Sequence, residues 1–269
     1  MLISRHQRIL ALLNERGSLA AGDVAALFSV TAMTVWRDFR ALAELGLLRR
    51  VRGGVRAVGA GVGEPAFEEK ERADLARKDR IAARAVSEFV REGDVIVLEG
   101  GTTVAAMIVH LPQARVSILT NSLPVALQVR AARPNLPVRV VGGWLSAVSG
   151  NLTGAEAVRE IGRLTADVCF IGATGFDAEV GPSDPNPLEI EVKRAWTHIS
   201  RRTVMLLDAG KFGRRAAAVT LHPRRLHALV TDQIPPPEIE ALLQSHDVRV
   251  DVVALPSGRM RLRHPDLPA

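Results

Sequence analysis

Thr31-Ala32-Met33-Thr34-Val35-Trp36-Arg37-Asp38-Phe39-Arg40-Ala41-Leu42-Ala43-Glu44-Leu45-Gly46-Leu47-Leu48-Arg49-Arg50-Val51-Arg52-Gly53-Gly54 decides how the first part of this 269-residue chain folds. Val35, Phe39, Leu42 and Leu45 recur at helical spacing, with Thr31 in the N-cap position and Gly46 in the C′ position, so the stretch predicts a sharply bounded helix. With Val35, Phe39 and Leu42 turned inward, Met33, Arg37, Arg40 and Glu44 project on the opposite side and Trp36 sits at the flank. Leu47 to Arg56 then reads as two short strands about the Gly53-Gly54 turn, carrying arginines that suit a phosphate backbone or a minor groove.

Working outward from that stretch, Ile9, Leu12 and Leu13 predict a helix from Ser4 to Glu15. Val24, Leu27 and Phe28 predict a shorter one beginning near Ala20 and ending at Ser29-Val30. An arginine-bearing helix face is on its own ordinary solvated surface, and a Gly-Gly pair an ordinary turn. Three short helices, a tight turn before the last and a basic hairpin directly after it are, in that order, a winged helix-turn-helix. Charge agrees: residues 1–58 hold nine arginines against four carboxylates, which is +5 of the chain's formal +6. A polyanionic partner is therefore expected for this domain and, on charge alone, for no other part.

The 47% hydrophobic content and the length leave enough chain for a second, larger domain. Gly59-Ala60-Gly61-Val62-Gly63-Glu64-Pro65 breaks all periodicity, so the expected division is a DNA-binding domain over 1–58, a linker over 59–66 and a second domain over 67–269. No apolar run approaches the roughly 20 residues of a membrane span and the N-terminus carries no signal-like apolar segment, so a cytoplasmic protein with no membrane partner is expected. Cys169, the one cysteine, lies in an apolar run and is expected to be buried and inert. The seven histidines show no metal-ligand spacing, and neither metal nor cofactor is expected.

Phe67 to Glu92 reads as a charged helical stretch. Beyond Asp94, Val95–Leu98, Val116–Leu119, Val138–Val141, Val168–Ile171, Val204–Leu207, Leu229-Val230 and Val248–Val253 are candidate strands, separated by helical segments such as Thr102–His110 and Pro124–Ala131. Short, nearly unbroken apolar strands alternating with helices predict an α/β fold with a mostly parallel sheet covered on both faces. Ligands of such sheets bind beyond the carboxyl ends of the strands, where this chain is polar. Glu99-Gly100-Gly101-Thr102-Thr103, Thr120-Asn121-Ser122, Gly142-Gly143, Gly172-Ala173-Thr174-Gly175 and Asp208-Ala209-Gly210-Lys211 follow successive strands. Each alone is equally a turn, a helix cap or an ion pair; together they suit a phosphorylated polyol.

These blocks resemble the DeoR family of bacterial transcription regulators through nearly the whole chain. The resemblance is carried by Thr31 to Phe39, Gly46 to Arg50 and Gly53-Gly54 in the first domain. In the second it is carried by Leu98 to Thr103, Thr120 to Ser122, Gly142-Gly143, Phe170 to Gly175, Val192 to Ala195 and Asp208 to Gly213. It implies an oligomeric repressor, a homodimer or homotetramer, with a C-terminal domain similar to ribose-5-phosphate isomerase that senses a phosphorylated sugar or related metabolite. Trp36 stands where the family commonly has arginine, Arg52 where histidine is common, and Glu99 in place of aspartate, while Ser183-Asp184-Pro185-Asn186 departs from a usually hydroxyl-rich loop.

The expected mechanism is a two-state repressor of carbohydrate-metabolism genes. Thr31, Met33, Thr34, Trp36, Arg37 and Arg40 meet double-stranded operator DNA from the helix, and Arg50, Arg52, Gly53 and Gly54 from the wing. Glu99, Gly101, Thr102, Thr103, Asn121, Ser122, Gly142, Gly172, Gly175, Asp208 and Lys211 are the expected effector contacts. No catalytic residue is assigned. The competing readings are a sugar-phosphate isomerase-like enzyme, with Glu99 as base and Lys211 as electrophile, and an activator of the same family.

Overall fold

The computed structural model describes residues 5–6, 8–10, 12–13, 18–44, 48–51, 53–57 and 67–253. Gly46, Arg52 and the joint at 59–66 lie outside the described residues.

In the N-terminal domain, residues 5–6, 8–10 and 12–13 are helical, followed by β1 (Ser18–Ala20), the helices Ala21–Phe28 and Ala32–Glu44, and the hairpin of β2 (Leu48–Val51) and β3 (Gly54–Ala57). The sheet order is β1-β3-β2, so the wing gains a third strand absent from the sequence reading. That strand fits because Gly54 has no side chain: a Cβ there would lie 2.1 Å from the Leu19 carbonyl oxygen. Ile9, Leu13, Val24, Val35, Phe39, Leu42, Leu48 and Val55 form a core of their own. Leu27 is not part of it. Expected on the inward stripe, it is 53% exposed, because the eight-residue helix buries only its Ala21 and Val24 edge before Ser29 turns the chain at φ 51°.

The larger domain opens with helices Phe67–Arg72 and Leu75–Phe89, so the single stretch expected there is broken, with Asp74 at φ 54°. Its strands are β4 (Val95–Leu98), β5 (Ser117–Thr120), β6 (Val138–Val140), β7 (Trp144–Leu145), β8 (Leu152–Thr153), β9 (Ala166–Ile171), β10 (Gly175–Asp177), β11 (Gly181–Asp184), β12 (Ser200–Leu206), β13 (Ala218–Val219), β14 (Ala228–Thr231) and β15 (Arg249–Val252). Seven of these form one sheet in the order β15-β14-β12-β9-β4-β5-β6, and every pairing in it is parallel. They are the seven strands read from the apolar runs, each within a few residues of its expected bounds.

Alternation along the strands splits the core in two. Ile96, Leu98, Val168, Phe170, Val204 and Leu206 pack with Ile81, Ala85, Phe89, Met107 and Val125 on one face. Val97, Cys169, Ile171, Met205 and Leu229 pack with Ile161, Val192, Trp196 and Leu243 on the other. Both faces are thus covered, which is why the strands carry few polar side chains.

Strand order sets the site. From β4 the chain builds outward through β5 and β6; from β9 it builds the opposite way through β12, β14 and β15. The switch point of a doubly wound sheet, where successive crossovers diverge and leave a crevice, lies between the carboxyl ends of β4 and β9.

Candidate functional site

Glu99 and Gly172, the residues after β4 and β9, meet at that crevice. The Glu99 amide donates to the Phe170 carbonyl at 3.1 Å, and a Cβ placed on Gly101 would lie 3.6 Å from Glu99 Oε2 and 3.9 Å from the Gly172 Cα. Glu99 is buried, and burial pushes its carboxyl above the usual range against the pull of the Lys193 ammonium.

Lys193 is the centre of the cluster. It reaches the crevice from the helix Pro187–Ile199 and is 4% exposed, with Nζ donating to the Gly172 carbonyl at 2.8 Å and to Asp184 Oδ2 at 2.6 Å, and 3.9 Å from Glu99 Oε1. Burial opposes its charge, but Asp184 and Glu99 more than offset this and hold the ammonium protonated well above its ordinary range. Asp184, carried by β11 of the small antiparallel sheet β10-β11-β13, also accepts from Thr220 Oγ1 and from the amide and hydroxyl of Thr174. Glu189 lies one turn before Lys193 and accepts from Ser149 Oγ, Asn151 Nδ2 and Asn186 Nδ2. Asn151 Oδ1 is buried with no hydrogen-bond partner, and a Cβ on Gly100 would lie 1.8 Å from it. Acceptors therefore outnumber donors in this crevice, which suits a ligand rich in hydroxyls.

A second group forms beyond β12 and β14. Asp208 caps the short turn Ala209–Lys211 by accepting from the Gly210 amide, and Arg77 spans to it at 3.9 Å and to Asp232 at 2.9 Å. Lys78, from the same helix as Arg77, is buried with its ammonium on the Lys70 carbonyl. Burial lowers its pKa, and the neighbouring Lys211 charge adds to that while Asp208 opposes it. Lys78 and Thr102 also line a cavity of about 600 Å³ together with Leu75, Ala105 and Val109, a size suited to a small molecule.

Of the expected effector contacts, Glu99, Gly101 and Gly172 gather at the switch point, with the half-buried Thr102 and Thr103 directly after them, and Asp208 and Lys211 share one turn. Others are engaged in the fold itself. Asn121 accepts from Trp196 Nε1 at 3.0 Å and donates to the Leu152 carbonyl at 3.2 Å, and Ser122 caps the helix Leu123–Ala132. The Gly142 amide donates to Glu160 Oε2 at 2.9 Å. Gly175 is glycine because a Cβ would lie 2.3 Å from the Arg214 carbonyl oxygen. The sequence reading missed Lys193, Asp184, Glu189, Asn151 and Arg77 as site residues. Lys193 stood in a block quoted only for family resemblance, and a lone lysine on an amphipathic helix gives no sign that it is buried.

In the N-terminal domain the Thr31 hydroxyl accepts from the Thr34 amide at 3.2 Å, capping the helix as expected. Met33 is 74% exposed, and Arg37 and Arg40 are exposed on the helix with Thr34 half-buried beside them. Arg50 is exposed on β2, Gly53 turns at φ 82°, and its carbonyl accepts from the Ala21 amide at 3.0 Å. Asp38, between the arginines, points inward. At 3% exposure it accepts two bonds from Arg5, at 2.6 and 2.8 Å, and faces His6 Nε2 at 3.1 Å. Burial works against its charge, but the bonds from Arg5 and His6 prevail and hold the carboxyl below its usual range.

The chain matches the DeoR-like helix-turn-helix domain over residues 5–59 and the DeoR C terminal sensor domain over residues 73–233. It belongs to the DeoR family. This DeoR-family chain is therefore a DNA-binding transcriptional regulator with a separate sensor domain. It is 31% identical over 253 residues to the HTH-type transcriptional repressor CsqR of Escherichia coli (strain K12), covering 91% of this chain and 94% of that protein. It is 28% identical over 250 residues to the glycerol-3-phosphate regulon repressor of the same organism, covering 92% of this chain and 98% of that protein. Ribose 5-phosphate isomerase A of Methanocaldococcus jannaschii superposes on 52% of this chain, and over 55% of its own, with a TM-score of 0.39 and 18% identity, too loosely to bear on chemistry. No helix among the described residues is long and apolar enough to cross a membrane.

Proposed function

We propose that this DeoR-family regulator represses carbohydrate-metabolism genes and leaves its operator when a phosphorylated sugar or related metabolite occupies the switch-point crevice. The observation that carries the reading is the cluster of acceptors on Glu99, Asp184 and Asn151 about the Lys193 ammonium, at the switch point of the doubly wound sheet. Glu99 and Asn151 take hydroxyls, Gly101 to Thr103 lie along the sugar, and Lys211 supplies the countercharge for the phosphate. The similarity to a glycerol-3-phosphate regulon repressor supports a phosphorylated polyol effector.

In this reading residues 1–58 bind DNA, 59–66 link, and 67–269 sense and oligomerise. Two copies present paired recognition helices, with Arg37 in the major groove flanked by Thr31, Met33, Thr34, Trp36 and Arg40, and with Arg50 and Arg52 on the backbone. The effector shifts the dimer to an arrangement whose half-site spacing no longer fits; a coupling of about 1 to 3 kcal/mol changes operator affinity roughly 5- to 150-fold. The protein acts in the cytoplasm and turns nothing over.

Fluorescence anisotropy on DNA from upstream of its own gene, with sugar phosphates added afterwards, tests this. Specific binding released by one compound is expected. Lys211→Ala should bind the same DNA but need a higher concentration of that compound for release. Unchanged release removes Lys211 from the site, and release by none of the compounds removes the effector class.

A further inference from the structure

Trp36 lies on the flank of the helix Ala32–Glu44, and the structure gives it a partner on another element. Its ring stands edge-on to the fully buried Phe39, with centroids 5.7 Å apart and planes at 88°, so the indole is anchored in the core on one side. The Arg50 guanidinium of β2 lies over the indole ring, 5.4 Å from its centroid. Arg50 is exposed, and among the described residues no carboxylate pairs with it. Among the described residues the cation is therefore held by a ring and by no anion.

That difference matters on DNA. A carboxylate partner would have to be given up, or would repel the phosphate, when Arg50 approached the backbone. An indole face leaves the full positive charge and the outer guanidinium edge available while removing rotamers that a free arginine would lose on binding. Phe39, Trp36 and Arg50 make a continuous stack from the core through the recognition helix to the wing. The wing charge is thereby set in register with the helix face that bears Arg37 and Arg40.

We infer that Trp36 is a positioning residue that acts through Arg50: it contributes to DNA affinity by holding the wing guanidinium on a phosphate, not by contacting a base. The inference rests on the DNA-binding role of this domain. It predicts that removing an uncharged side chain changes an electrostatic quantity.

The test is a salt titration of full-length protein on a short duplex of scrambled sequence, where only backbone contacts count. Each phosphate contact contributes about 0.9 to the slope of log affinity against log salt. Arg50→Ala should lower the slope by about 0.9. Trp36→Ala should lower it by more than half as much, the double variant should fall no further than Arg50→Ala, and Trp36→Phe, which keeps a ring beneath the guanidinium, should restore most of it. Thermal melts of each variant show whether the domain stays folded, and Trp36→Phe keeps the test decisive where the alanine variant does not. A wild-type slope in Trp36→Ala, an unchanged slope in Arg50→Ala, or additive losses in the double variant each overturn the inference. A wild-type protein without salt-dependent duplex binding would overturn the DNA-binding reading itself.

Discussion

Asp38 sits in the middle of the recognition helix and yet belongs to the core. Its bidentate bonds from Arg5 tie the first helix to the helix Ala32–Glu44. Asp38→Ala is expected to destabilise the N-terminal domain by roughly 3 kcal/mol in denaturant titration, toward the low end for a buried pair, since Arg5 keeps some solvent. Because the folded carboxyl titrates below its unfolded value, this contribution is fully present above about pH 4 and is lost as the pH falls through the folded value. Acid should therefore narrow the difference between wild type and Asp38→Ala; a constant difference down to the lowest pH would contradict the assignment. Lys193 makes the same point in the sensor. Lys193→Met leaves Asp184 and Glu99 buried without their cation and should cost about 4 kcal/mol of sensor-domain stability, read by urea unfolding. A loss under one kcal/mol, roughly what an exposed pair gives, would mean the cluster is wet.

At the scale of elements, the central strands β4, β5, β9, β12 and β14 were readable because each contains an apolar run bounded by polar residues and is buried on both faces, while the edge strands β6 and β15 carry polar side chains among their valines. The small strands were not. β1, β7, β8, β10, β11 and β13 are two to four residues long and most lack an unbroken apolar run, and β1 and β13 are fixed by partners distant in sequence. Thr102–His110 was read as one helix but tightens after Ala105 into a 3₁₀ segment, Ala106–His110. The wing shows what a short strand can do. Gly54→Ala pushes a Cβ into the Leu19 carbonyl and should separate β1 from β3. DNA affinity should fall at least tenfold in an anisotropy titration while the urea transition of the sensor domain stays in place. Wild-type affinity in that variant would show that β1 is dispensable to the wing.

For the whole molecule, the decisive fact is that the hydrophobic residues form an N-terminal core apart from the two cores that flank the large sheet. The small core has no disulfide and few large side chains, so calorimetry should show two transitions, the weaker one belonging to the DNA-binding domain. Mildly destabilising conditions should thus abolish DNA binding first; a single transition that Asp38→Ala shifts as a whole would argue against independent folding. Cys169 reports on the larger domain. It is buried and its thiol is pushed up by burial, so a thiol reagent should label it only in step with the upper transition.

The sequence by itself determined the two classes of architecture, the seven sheet strands and the basic face of the recognition helix, because periodicity, caps and charge are local and are written residue by residue. Only the tertiary structure decided that β4 and β9 are neighbours. That one adjacency creates the crevice and brings Lys193 and Asp184 to Glu99 from segments far along the chain, and packing across the sheet ties Asn121 to Trp196 as part of the frame. Strand order is a choice among crossovers whose local sequences are alike, so it is settled by how whole layers pack and not by any single run of residues.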